Sequence, residues 1–414
     1  MTSQPISSLK LRWGLIAALG ALTAFPAMST DIYLPALPAM AKDLGANPEQ
    51  TALTLSAFFV GLAIGQLVYG PWSDRVGRRL PLVAGIGIYM IASLGCAFAQ
   101  TPETLIALRF IQALGGAAGP VIARATVRDR FEPQESARVL AYLGLVFGLA
   151  PILGPIAGAA LLLAADWRGI FFMLAILAGL IGLISYFYLD EAPPLTPRPQ
   201  QRETLSAAFA APLKDANFIR YTIVLSLGGA MMLTYVSQSP GLFIEGFGFD
   251  PQQFALIFAL NAAGFIAVGQ INARILRRAY FDVVLRRGLY AAACFAALVF
   301  FFAFTSIGGV WAIGVPLFLT ISSLGFVFGN ATVGGLATQG ERAGMASSLM
   351  GATSTIIAAL ATAVAGALHD GTPKAMASII LACAATATLT LLWKGQAQFR
   401  FAASSAAVKP DSEN

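Results

Sequence analysis

Charge is scarce in this chain. Asp, Glu, Lys and Arg together make up 11% of its 414 residues, against about 25% in soluble domains. Another 57% is apolar. That balance excludes a chain with water on every side. Histidine is nearly missing, His369 being the single copy, and no His, Cys, Asp and Glu fall at metal-ligand spacing. Three cysteines, Cys96, Cys294 and Cys383, lie in apolar stretches. An odd, buried set gives no disulfide framework, and they read as small packing residues. No nucleophile–base constellation is visible. The glycine-rich stretches sit inside apolar runs rather than after strands, so nothing supports a phosphate cradle. The alternation that marks a transmembrane barrel is also lacking.

What the sequence has in abundance is continuous apolar runs. Each is about 20 residues long, enough to cross a bilayer as a helix. They predict twelve spans, near 13–39, 51–71, 80–99, 103–127, 137–164, 168–189, 220–243, 252–275, 288–306, 309–335, 343–368 and 374–393. Lys10 and Arg12 precede the first run in the manner of a signal peptide. The run continues past any cleavage site into Asp31-Ile32-Tyr33-Leu34-Pro35, so a retained first helix is expected.

The basic residues orient the chain. Of 26 Lys and Arg, 22 fall at one set of span ends and termini, and only Lys42, Arg168 and Lys374 at the other. Both termini are therefore expected in the cytoplasm. The net charge of +6 is explained by this topology, and nucleic acid is not an expected partner.

The run Asp190-Glu191-Ala192-Pro193-Pro194-Leu195-Thr196-Pro197-Arg198-Pro199 cannot span and reads as a semi-rigid linker. It divides an amino-terminal six-helix bundle (1–192) from a carboxy-terminal one (219–414). The cytoplasmic linker is 193–218, with a short surface helix expected from Glu203 to Asn217. The halves share a loop. Gly70-Pro71-Trp72-Ser73-Asp74-Arg75-Val76-Gly77-Arg78-Arg79 follows the second span, and Gly269-Gln270-Ile271-Asn272-Ala273-Arg274-Ile275-Leu276-Arg277-Arg278 follows the eighth. The expected fold class is an all-α integral membrane protein of two pseudo-symmetric six-helix bundles, a design that places substrate at the midplane between halves.

The repeated loop resembles the signature between spans two and three of the major facilitator superfamily, and that resemblance covers nearly the whole chain. Leu108-Arg109-Phe110-Ile111-Gln112-Ala113-Leu114-Gly115 resembles the fourth-span motif of its proton-coupled members. Pro151-Ile152-Leu153-Gly154-Pro155-Ile156-Ala157-Gly158-Ala159 is similar to the fifth-span motif of its antiporters, with Ala159, like Ala113, where a glycine is usual. Asp31-Ile32-Tyr33-Leu34-Pro35-Ala36-Leu37-Pro38 and Val127-Arg128-Asp129 resemble the Bcr/CflA (bicyclomycin/chloramphenicol resistance) drug:proton antiporters. The resemblance implies a bacterial inner-membrane exporter rather than an enzyme. Its partners would be small drugs, protons and lipid. It would act as a monomer without cofactor, the proton gradient supplying the energy.

Physical reading of the residues gives candidates for each role. Asp31 and Arg109 are the two charges deep in spans, at similar depth. Intramembrane charge is costly and usually functional. They are expected as a proton-coupling pair, with a purely structural ion pair as the alternative. Burial favours the neutral acid and a neighbouring guanidinium favours the carboxylate; together they leave a group able to load and release a proton. Gly154, Pro155 and Gly158 predict a bendable gate between the halves, or plain tight packing. In the basic loop, Gly70, Asp74, Arg75, Gly77, Arg78 and Arg79 are expected to gate the cytoplasmic side. Asp74 would cap the eleventh span, and Arg78 or Arg79 would pair with Asp129. A solvated positive loop is the plain alternative. Tyr33, Phe58, Met231, Tyr235, Gln238, Asn261, Phe265 and Asn330 are candidates for the substrate wall, mostly apolar with a few polar groups. A metabolite carrier of the same fold is the competing function.

Overall fold

A computed structural model describes residues 6–131, 133–189, 210–339 and 343–392. The described residues are helical throughout, and twelve helical stretches are long and apolar enough to cross a membrane. In the first half these are built from α1 (Ile6–Asp31), α2 (Leu37–Leu44), α3 (Pro48–Val76), α4 (Arg79–Ala97), α5 (Pro102–Gly116), α6 (Ala118–Arg130), α7 (Pro133–Leu161) and α8 (Trp167–Tyr188). The second half has α9 (Ala216–Pro240), α10 (Pro251–Ile275), α11 (Phe281–Thr305), α12 (Gly309–Ser323), α13 (Phe328–Leu336), α14 (Ala343–Ala367) and α15 (Lys374–Leu392). Most of the surface helix expected over 203–217 lies outside the described residues. Its described end is a 3-10 turn at Pro212–Lys214 running into α9.

The helix starts repeat between the halves. Asn47 caps α3 by accepting from Gln50 N at 2.8 Å, and Gln50 Oε1 accepts from Asn47 N at 3.0 Å. Asp250 and Gln253 make the same reciprocal box at the start of α10, at 2.7 and 3.1 Å. Proline follows the cap in both, where its missing N–H costs nothing. Each box contributes about 1 kcal/mol and fixes where span two or eight begins.

Several spans are broken rather than straight. Span one stops being α-helical at Asp31, passes through a turn and the 3-10 segment Leu34–Ala36, and resumes as α2. Span four kinks between α5 and α6, and span ten at Leu324–Phe326. Span seven ends in a π-helical turn, Gly241–Gly246. Beyond the break, α2 is tied to α8: Asp43 Oδ2 accepts from Arg168 Nη1 at 2.6 Å and Trp167 Nε1 at 3.1 Å.

Between the halves, α3 packs on α14 and α7 on α10. Those contacts are tight on the side away from the basic loops. There the Cα of Gly366 lies so close to α3 that a Cβ would strike Ala52. Gln252 donates to the Ala159 carbonyl at 3.2 Å, and α2 touches the π-helical turn. Towards the basic loops, Gly144 to Phe147 of α7 are all exposed. The two halves are thus held together on the side away from the basic loops.

Candidate transport site

Arg109 is fully buried in α5, with no carboxylate paired to it among the described residues. Its guanidinium carbon lies 4.3 Å from the Phe58 ring centre, 4.8 Å from Tyr33 and 5.8 Å from Phe171. Nη1 donates to Gln112 Oε1 at 2.6 Å and to the Ser29 carbonyl at 3.4 Å. Gln112 Nε2 passes the chain on to Ser93 Oγ at 2.7 Å, while Ser29 Oγ and Tyr89 Oη share a 2.6 Å bond. A desolvated cation gains about 2 kcal/mol per aromatic face. Three faces, about 6 kcal/mol together at that value, therefore more than offset the roughly 3 kcal/mol that insertion scales charge for an arginine in the membrane. Nε and Nη2 remain without a hydrogen-bond partner.

Asp31 is also buried, 5% exposed. Thr30 Oγ1 donates to its Oδ1 at 3.3 Å, and Oδ2 has no partner. The expected pairing of Asp31 with Arg109 is not formed. The helix geometry gives the reason. Ser29 and Asp31 are two residues apart, hence about 200° apart around α1. Ser29 faces Arg109, so Asp31 faces away from it. Asp31 instead lies against α7, where a Cβ on Gly154 would sit 2.6 Å from the Asp31 Cβ. A Cβ on Gly158 would collide with the Ile32 carbonyl. These glycines thus seat the break in span one against span five inside one bundle, where a gate between the halves was expected. From the second half, Tyr235 comes within electrostatic reach of Asp31. Its buried hydroxyl has no partner, and its ring stacks on Phe258 at 5.5 Å.

The other wall candidates scatter. Tyr33 and Phe58 are taken up by Arg109, and Tyr33 Oη donates to Thr54 Oγ1 at 3.3 Å. Met231 is fully buried. Asn261 donates to the Ile257 carbonyl of its own helix at 2.8 Å and leaves Oδ1 free of partners. Phe265 meets Phe328 edge-on at 5.7 Å. Gln238 lines cavities at the far side. Asn330 donates to Asn272 Oδ1 at 2.9 Å, inside the second bundle, so it supports the second copy of the loop motif.

In the first copy, Arg78 is the arginine that meets Asp129. Its Nε and Nη2 reach Oδ2 at 2.9 and 2.7 Å, and Nη1 reaches Ser73 Oγ at 2.7 Å. Asp74 receives Arg78 at 2.8 Å and Arg128 at 3.5 Å, both from its own half. Arg79 lies over Tyr186 at 3.8 Å and donates to its carbonyl at 2.8 Å. Arg75 is exposed, and Gly70 is half-buried, at a position where a Cβ would touch nothing. Gly77 adopts φ +90°, which side chains strongly disfavour, and so lets the chain turn from α3 into α4. At the aligned positions of the second copy, Asn272 replaces Ser73 and Ala273 replaces Asp74. A neutral amide pair stands where the first half has a buried ionic network.

Ser29, Tyr89, Ser93 and Phe171 were not singled out from sequence. Gln112 had a readable signal, its i+3 spacing from Arg109; the others come from separate spans and had none.

Two bundles of broken helices, with buried charge at the break and a basic loop repeated at one end, define a secondary transporter. The sequence profile of the Major Facilitator Superfamily matches residues 19–365, and the chain belongs to that family. It is a membrane transporter, not an enzyme. It is 31% identical over 388 residues to an uncharacterized MFS-type transporter, YdgK, of Bacillus subtilis, covering 92% of this chain and 95% of that one. Multidrug resistance protein MdtL of Shigella dysenteriae is 28% identical, covering 92% and 95%. A bicyclomycin resistance protein homolog of Haemophilus influenzae is 27% identical, covering 90% and 94%. Among solved structures, an inward-facing bacterial homolog of the lysosomal transporter Spinster superposes with a TM-score of 0.71 at 15% identity, covering 94% and 95%. A D-xylose-proton symporter gives 0.71 at 13%, covering 92% and 96%.

Proposed function

We propose that this transporter exports small amphipathic drugs, neutral or monocationic, in exchange for protons by alternating access. The observation that carries the reading is Asp31. A buried carboxyl with one unpartnered oxygen sits at the break of span one, packed on span five and within reach of Tyr235 from the opposite half. A proton there changes charge at the place where both bundles meet. The apolar surroundings suit amphipathic compounds, and the relatives named for multidrug and bicyclomycin resistance favour export of drugs. In this reading the basic loops and both termini face the cytoplasm of a bacterial inner membrane. The protein works as a monomer, with the proton gradient as its energy source and no cofactor. Asp74, Arg78 and Asp129 hold the loop that gates the cytoplasmic side.

The test is transport by Asp31→Asn in proteoliposomes. Drug binding is expected to persist and to lose its dependence on pH, while drug-stimulated proton release, followed with a pH-sensitive dye, disappears. Normal proton-driven efflux by the variant would overturn the assignment.

A further inference from the structure

A cavity of about 230 Å3 lies far from the basic loops and entirely within the second half. It is bounded by the π-helical turn, the end of α11, the start of α12 and the loop leading into α15. Its wall is largely apolar, with Phe247 and Phe302 contributing rings, and is interrupted by Gln238, His369 and Lys374. Gln238 is 8% exposed, and its side-chain amide has no hydrogen-bond partner among the described residues. That amide lines the cavity and is free to bond a ligand there. The charge of the lining has one sign. Lys374, whose ammonium lies 5.8 Å from the Phe304 ring, is its formal cation, and no Asp or Glu lines it. Asp370, next in the loop, accepts the Thr372 backbone N–H at 3.0 Å and lies within electrostatic reach of Lys374, but it does not line the cavity. Glu245 lines only the smaller adjoining cavity of about 100 Å3.

We infer that this cavity is a second small-molecule site, separate from Asp31, for a compact amphipathic carboxylate. The anionic group would meet Lys374, the Gln238 amide would satisfy its polar atoms on the ligand, and an apolar ring would lie along Phe247 and Phe302. The volume is below the roughly 300–1,000 Å3 of drug-sized sites, which favours a single-ring acid over a phospholipid. The inference does not depend on proton coupling.

A diazirinyl benzoic acid, photolysed with the full-length protein in phosphatidylcholine nanodiscs, tests it by mass spectrometry of the labelled peptides. Labels are expected within 238–247 and 369–376, displaced by benzoate and poorly by benzamide. Lys374→Gln should weaken labelling about tenfold, as loss of one charge-assisted contact does. Asp31→Asn should leave labelling unchanged. Four results would overturn the inference: labels elsewhere, equal competition by benzamide, no effect of Lys374→Gln, or loss of labelling in Asp31→Asn. Labelling abolished by adding phosphatidylglycerol to the nanodiscs would assign the cavity to lipid and overturn it too.

Discussion

A carboxyl and a guanidinium buried in one bundle without touching each other divide the work between them. Arg109 is held by three rings and an amide, so its position is set by geometry as much as by charge. Lysine keeps the charge but not the planar fork or the stacking. Arg109→Lys is therefore expected to fold and reach the membrane, yet to lose about tenfold or more in drug efflux, on the scale of one good charged contact. Efflux at the native rate would show that charge alone suffices. Both residues were legible in the sequence because a charge inside an apolar run stands out by itself. Their separation was not. It depends on where α1 ends, and an angular offset of two residues is invisible to any estimate made from depth alone. The aromatic cage was half legible: Tyr33 and Phe58 were noted, but as substrate wall, since nothing in a sequence tells which cation a ring will face.

Helices α1 and α7 fit together only because two glycines lie opposite the break. Gly158→Val places a side chain on the Ile32 carbonyl and is expected to abolish transport and lower expression. Gly144→Ala, where a Cβ touches nothing, should do neither. Comparing the two by fluorescence-detected chromatography and efflux separates close packing from a general need for small residues in α7. The loop after α3 gives a second contrast. Asp129→Asn leaves the buried Arg78 with a weaker set of partners and is expected to cost about 3 kcal/mol or more, as broken buried pairs do. The Asp74 side chain is 44% exposed, and its replacement by Asn should cost about 1 kcal/mol or less. Thermal unfolding of both variants in one detergent would decide, and equal losses would mean the network does not centre on Asp129. The loop repeat was plain in the sequence, but the paired capping boxes at Asn47 and Asp250 were not. They are four residues long and differ at their first and third positions, so only the hydrogen bonds show that they are the same device.

For the whole molecule, twelve spans in two halves were readable because hydrophobic runs and basic loops are long-range, additive signals. How closely the halves pack was not readable, since the contact at Gly366 arises between distant spans. With one titratable acid in the spans' interior, one proton per cycle is expected. Exchange for a neutral drug then moves one charge, and the membrane potential assists by about 2.3 kcal/mol per 100 mV. Exchange for a monocation moves none. Efflux of neutral drugs should therefore respond to valinomycin-clamped potentials and that of monocations should not, with dications poorly exported. Two protons counted per neutral drug in a reversal-potential assay would reveal a second coupling group.

The break in span one also has a mechanical side. With α2 bolted to α8 through Asp43, the outer arm of that span is fixed and Asp31 stands at its fulcrum. The inner arm, α1, is 26 residues long, or about 39 Å at 1.5 Å per residue. By that length, a swivel of about 10° at the fulcrum would sweep its tip through about 7 Å, roughly the width needed to admit or exclude a small organic molecule. In the proposed mechanism, a proton taken up at Asp31 would act at that fulcrum, and Gly154, which packs against it, would feel the change first.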